Sequence, residues 1–153
     1  MLTGVYQATR KDNTIYYRSG IQFRGKHISL GSFDSEQKAN SAYLEASRLL
    51  DDRTVTIHNV LSYISVLPHE KAVVLVNFRD NGIYIKNPIF LCKGYFIYFL
   101  SPAEELKFDR DDLFYYSSHK ILRRQGHLYV NDYGMQCSLL SRYGIKPYAV
   151  AGR

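Results

Sequence analysis

Five cations, Arg10, Lys11, Arg18, Arg24 and Lys26, lie between Gly4 and His27 against one acid, Asp12. Tyr6, Tyr16, Gln22, His27 and Ser29 are interleaved with them. Guanidinium and ammonium groups neutralise phosphates and release their counterions. In a major groove Arg can also fork onto guanine, and Gln onto adenine. A second basic run begins after His119, where Lys120, Arg123, Arg124, Arg142, Lys146 and Arg153 face only Asp132. Over the whole chain Lys and Arg outnumber Asp and Glu 20 to 14, a formal charge of +6. That balance favours a polyanionic partner without proving one, because solvated surfaces carry similar charge.

The elements that position the first run can be read from periodicity. Residues 4–9 read as a strand, Asp12-Asn13 as a turn, and residues 15–24 as a second strand. Gly25-Lys26 marks a tight hairpin into a third strand, His27–Ser32. Asp34 or Ser35 then caps a helix, with Glu36 in the first turn where the helix dipole favours negative charge. Ala39, Ala42, Tyr43, Ala46, Leu49 and Leu50 recur at helical spacing and form a mostly small, apolar face. The expected module is a three-stranded antiparallel sheet packed on one helix over residues 1–53.

Strand side chains alternate between faces. Parity puts Val5, Tyr17, Ser19, Ile21, Ile28 and Leu30 toward the helix. It leaves Tyr6, Ala8, Arg10, Tyr16, Arg18, Gly20, Gln22, Arg24, His27 and Ser29 on the other face. That face suits a DNA groove, and it equally suits an ordinary solvated surface; parity alone leaves both open.

The pattern Gly4-Val5-Tyr6, Tyr17-Arg18-Ser19-Gly20-Ile21, Gly25-Lys26, Leu30-Gly31-Ser32-Phe33, then Ala39, Ala42-Tyr43 and Ala46 resembles the ethylene-response-factor (apetala-two) type of DNA-binding domain. The resemblance covers roughly residues 3–50. It implies a sheet laid in the major groove of double-stranded DNA with the helix behind it. The groove-facing positions it implies are Tyr6, Ala8, Arg10, Arg18, Gln22, Arg24, His27 and Ser29. Plant members are richer in Arg and Trp at these positions, so Tyr6, Ala8, Gln22, His27 and Ser29 imply a different base preference.

Residues 54–153 read as a mixed, β-rich α+β domain. A short helix or strand is expected within Val55–Leu67, and residues 69–80 read as helix or buried strand up to Asn81-Gly82. Tyr84-Ile85, Ile89–Cys92 and Tyr95–Leu100 read as strands. Ser101 with Glu104 resembles a capping box opening a short turn or helix. Residues 109–118 read as a short helix, with Asp109, Asp111 and Asp112 as its starting charges. Residues 119–124 and 127–130 form a hairpin across Gln125-Gly126, and 135–143 a helix ending at Gly144.

Tyr129–Met135 and Ile145–Arg153 resemble the region preceding the catalytic motif in HNH homing-endonuclease-like proteins of phages and mobile elements. Such a ββα site needs a His base and a second His or Asn on the helix. His119 and His127 fall on the expected strands and Asn131 in a turn, but residues 135–143 carry no His, Asn, Asp or Glu. The expectation is therefore a chain without nuclease activity, cofactor or metal. Three functions stay in view: a non-enzymatic double-stranded-DNA-binding protein of a phage or mobile element, an anti-CRISPR-like inhibitor of a host Cas-type nuclease or other defence effector, and a degenerate HNH-type endonuclease. The sites expected for nucleic acid are Tyr6, Arg10, Lys11, Tyr16, Arg18, Gln22, Arg24, Lys26, His27, Ser29, Lys120, Arg123 and Arg124.

Cys92 and Cys137 are too far apart in sequence, and too few, for a recognisable zinc motif. Cys92 lies in an apolar run and is expected to be a buried thiol. The N-terminus lacks a signal-peptide pattern, and no apolar run approaches membrane-spanning length. A cytoplasmic protein without a membrane partner is expected, with 14 Tyr and 8 Phe supplying core and interface rings.

Overall fold

Val5, Ile21, Ile28 and Leu30 are the buried apolar side chains of β1 (Val5–Thr9), β2 (Ile15–Phe23) and β3 (Lys26–Phe33), an antiparallel sheet in the order β1-β2-β3. The structure, a computed structural model, describes residues 1–124, 126–132 and 135–138. Among these, nine strands fall into three three-stranded antiparallel sheets, joined by helices, so the class is α+β. By contacts the chain divides into two compact units, Met1–Val76 and Asn77–Arg153. Residues 54–76 thus group with the N-terminal module.

The β1–β2 turn is stitched by Asp12, whose Oδ1 accepts from the Thr14 hydroxyl at 2.6 Å and the Thr14 amide at 3.1 Å. Those bonds, the hydroxyl's first, hold the Asp12 carboxyl below its usual range. The β2–β3 turn differs by one residue from the expected Gly25-Lys26. Lys26 is already paired with Phe23, and the turn residues are Arg24 and Gly25, at φ 50° and 77°. Two successive left-handed residues match the right-handed twist of the strands they join.

Sequence parity also misses a bulge. Ser19 pairs with Gly31 but Gly20 with Ser29, so Leu30 has no residue opposite it. Glycine at φ 128° follows the extra residue and lets the strand re-aim. Below the bulge Ile28 faces inward with Ile21; above it Ser32, not Gly31, lies across from Arg18.

Helix α1 (Glu36–Asp51) begins at Ser35, whose Oγ accepts from the Lys38 amide at 3.1 Å. Ala39, Ala42, Ala46 and Leu49 are buried on it, as are Val5, Ile21, Ile28 and Leu30 on the sheet. Fully burying each of the larger aliphatic side chains contributes about 1.5–3 kcal/mol. The small residues permit close approach: Ser19 donates from Oγ to the Ala39 carbonyl at 2.7 Å. A Cβ at Gly4 would collide with the Tyr43 ring and come within 2.8 Å of the Tyr43 Cβ. Glycine is required there on both counts, since φ is also +76°.

Beyond α1 the expected helix or strand in Val55–Leu67 is a 3-10 turn, Val60–Tyr63. Glu45 ties the following segment to the helix. Its carboxylate accepts from the amides of Ser65 (3.0 Å), Val66 (3.1 Å) and Leu67 (2.9 Å), and from the Ser65 hydroxyl (2.9 Å). Burial alone would raise its pKa; the bonds from Leu67, Ser65 and Val66 outweigh burial and hold it below the usual value. Helix α2 (His69–Asn81) is buried from Ala72 to Arg79 and ends at Gly82, φ 76°.

In the second unit, β4 (Ile89–Leu91), β5 (Tyr95–Ser101) and β6 (Glu104–Asp109) form a meander, and β7 (Ile121–Arg124), β8 (His127–Asp132) and β9 (Met135–Ser138) another. Helix α3 (Leu113–Ser118) sends Tyr116 into a core with Phe96, Tyr98, Leu106, Phe108, Ile121 and Val130. Tyr116 stacks on Phe108 at 4.2 Å between centroids. Four expectations change here. Tyr84-Ile85 is not a strand. The turn expected at Ser101–Glu104 is present, but it leads into a strand rather than a helix, because Pro102 suits a turn and Leu106 and Phe108 bury at two-residue spacing. Cys92 is half-buried rather than buried. Met135–Ser138 is a strand that satisfies the edge of β8, not a helix; the rest of the expected 135–143 helix lies outside the described residues.

Candidate nucleic-acid interface

On the sheet face turned away from α1, the register sets side chains in rows: Tyr6, Arg18 and Ser32; Ala8 and Tyr16; Gly20 and Ser29; Gln22 and His27. Tyr6, Arg10, Lys11, Arg18, Gln22, Arg24, Lys26, His27 and Ser29 are exposed, and Tyr16 is half-buried.

Tyr16 organises the cations. The Arg10 guanidinium sits 4.7 Å from its ring centroid and that of Arg18 5.5 Å. Arg18 also donates to the Tyr16 hydroxyl from Nη2 at 2.8 Å and from Nε at 3.2 Å. Cation–π contacts of this exposed kind contribute about 0.5–1 kcal/mol each. Their larger effect is to limit the rotamers of two flexible side chains before a ligand arrives. No carboxylate forms an ion pair with Arg10, Lys11 or Arg18 among the described residues.

Beside this stack is an open depression of about 450 Å³, lined by Tyr6, Arg18, Ser19, His27 and Ser29. Gly20 lies beneath one of its walls, His27. A Cβ there would lie 2.6 Å from His27 Nε2 and 2.9 Å from Cε1, so the imidazole lies across the bare glycine. Tyr6 meets the same ring edge-on at 6.1 Å.

Two expected residues are placed differently. Arg24 is in the turn, beyond the reach of strand parity, with its guanidinium 4.7 Å from the Phe23 ring centroid. Lys26 is exposed and pairs with Phe23, out of phase with Gln22 and His27. Ser32 was not expected on this face; Gly31 was the only local signal of the bulge that brings it there.

The second basic run is less open. Arg123 forms an ion pair with Glu104, and Lys120 is exposed. The side chain of Arg124 lies outside the described residues, as do Arg142, Lys146 and Arg153. His119 is not on a strand: it closes α3, stacked 4.0 Å from the Tyr115 ring, with Nδ1 2.8 Å from the Tyr115 carbonyl oxygen. Asn131 is in β8 rather than in a turn. Of the carboxylates expected at a helix start, Asp109 caps the 3-10 turn Arg110–Asp112, accepting from the Asp111 amide at 2.9 Å, and Asp112 stands at the N-cap of α3 without a side-chain capping bond.

No protein-family model, curated protein or solved structure matches this chain.

Proposed function

We propose that the chain is a non-enzymatic double-stranded-DNA-binding protein of a phage or mobile element, with the outward face of β1–β3 as its interface. One observation carries this reading: Arg10 and Arg18 flank Tyr16 on an exposed face, and neither is held in a salt bridge among the described residues, Asp12 acting on Arg10 only through its field. Such an arrangement is costly in the free protein, because like charges are held together; a polyanion relieves that cost. Strands can enter a major groove about 12 Å wide, where Arg18 and Gln22 would reach base edges and Arg10 and Lys11 phosphates.

Fluorescence anisotropy with a labelled random duplex tests this on the full chain. The affinity should fall steeply with salt, log K against log[salt] having a slope of about −0.9 per phosphate neutralised. Arg18→Ala should weaken binding by about 1–3 kcal/mol while the thermal midpoint falls by only about 2–4 °C, through the loss of its contacts with Tyr16. A flat salt response, or an unchanged affinity in Arg18→Ala, would refute the assignment.

A further inference from the structure

An imidazole lies in the depression of the outward face, beside a guanidinium and away from any acid. His27 is exposed, lies over Gly20 and meets the Tyr6 ring edge-on at 6.1 Å. Its ring nitrogens make no hydrogen bond or ion pair among the described residues.

Every strand of the sheet contributes a neighbour. From β1 comes the Tyr6 phenol; from β2 come Arg18, Ser19 and Gly20, with Gln22 directly across from His27; from β3 comes Ser29. Arg18 is the cation of this set, and no carboxylate belongs to it. Lys26, the residue before His27 in β3, is exposed and cationic too. The Ser19 hydroxyl is committed to the Ala39 carbonyl. The acid within residues 4–33, Asp12, is in the β1–β2 turn, at the other end of β2 from Gln22, where it accepts from Thr14.

An imidazole changes its charge between about pH 5 and 8. In the free chain no carboxylate stands ready to pair with an imidazolium at this position. A polyanion laid on the face supplies the missing negative charge, so proton and polyanion each favour the binding of the other. We propose that His27 is a pH-sensitive charge within the interface: its imidazolium adds one cation to the face, and duplex affinity rises as the pH falls through the imidazole range. This regulation rests on the duplex-binding reading above. The gain is complete at acid pH and is lost as the pH rises through the range in which the complex releases the proton. One further phosphate neutralised adds about 0.9 to the salt slope, which at about 0.1 M salt amounts to roughly eightfold in affinity.

Anisotropy titrations of the full chain on the labelled random duplex, at about pH 5.5 and about pH 8 and each over a salt series, test this. The wild type should bind about five- to tenfold more tightly at the acid pH, with a salt slope steeper by about 0.9. His27→Gln keeps a polar side chain but cannot hold the charge, and should show one affinity and one slope at both pH values. His27→Arg should keep the steeper slope at both. His58, His69, His119 and His127 remain in both variants, so their titration cannot imitate this pattern. Circular dichroism checks the fold of each protein at each pH. A wild type whose steep salt dependence is the same at both pH values overturns the role of His27 and leaves the duplex-binding reading standing. A pH response that persists in His27→Gln overturns that role as well. A chain that binds no duplex at either pH overturns both readings.

Discussion

Gly20→Ala separates the shape of the outward face from the stability of the sheet beneath it. Gly20 has no positive φ, so an alanine is conformationally acceptable in β2. Replacing a strand-interior glycine lowers the entropy cost of folding by about 0.5–1 kcal/mol. The new methyl would stand 2.6 Å from His27 Nε2 and 2.9 Å from Cε1, while the nearest backbone atom, the Ile28 carbonyl oxygen, is 3.5 Å away. Only the far end of an exposed side chain must therefore move, at a cost of order 0.5–1.5 kcal/mol if its rotamer is strained. The two effects nearly cancel, and the urea midpoint should shift by less than about 1 kcal/mol equivalent. Binding should respond more. With His27 lifted, the depression bounded by Tyr6, Arg18 and Ser29 loses its wall, removing a contact of about 1–2 kcal/mol, or roughly 5- to 30-fold in duplex affinity. Anisotropy titrations beside urea melts give both quantities from one preparation. Unaltered affinity in a folded Gly20→Ala variant would refute the role of the depression. A loss of stability above about 2 kcal/mol would refute the claim that His27 alone yields.

Gly4→Ala should do the reverse. The methyl meets the Tyr43 side chain beside the helix backbone, and φ is +76°, so stability should fall by about 2–3 kcal/mol, read as a lowered urea midpoint. Glu45→Gln should cost about 1–2 kcal/mol at pH 7, because an amide replaces a carboxylate that accepts from Ser65, Val66 and Leu67. The Glu45 contribution has a definite pH sense. Its folded pKa lies below the ordinary value of 4.5, so the stabilisation is present above that value and fades as the pH falls through the lower folded one. Urea melts at neutral and acid pH should show the difference between wild type and Glu45→Gln shrinking in acid; a constant difference would count against the carboxylate clamp.

Much of the first module was legible along the chain. Ile21, Ile28 and Leu30 declare the buried face by spacing, Ser35 declares the start of α1, and the alanines declare a close helix–sheet contact. These signals are local, since period and capping depend on neighbours within a few residues. The outward positions of Tyr6, Arg18, Gln22, His27 and Ser29 followed from the same alternation. The second unit was harder to read. Ser101 and Glu104 have the spacing of a capping box and also of a tight turn, and only the pairing of β6 with β5 decides between them.

Amino-acid order by itself determined which residues alternate, where the first helix begins, and that cations gather near the N-terminus. Tertiary structure alone decided that Leu30 bulges, that Ser32 lies across from Arg18, that Arg24 sits over Phe23, and that Glu104 pairs with Arg123. The placing of Tyr16 between Arg10 and Arg18, and of His27 over Gly20, belongs to the same group. The physical reason is register. Side-chain period is written in one strand, but which residue faces which depends on the neighbouring strand's hydrogen bonds, and one unpaired residue changes the face of everything beyond it.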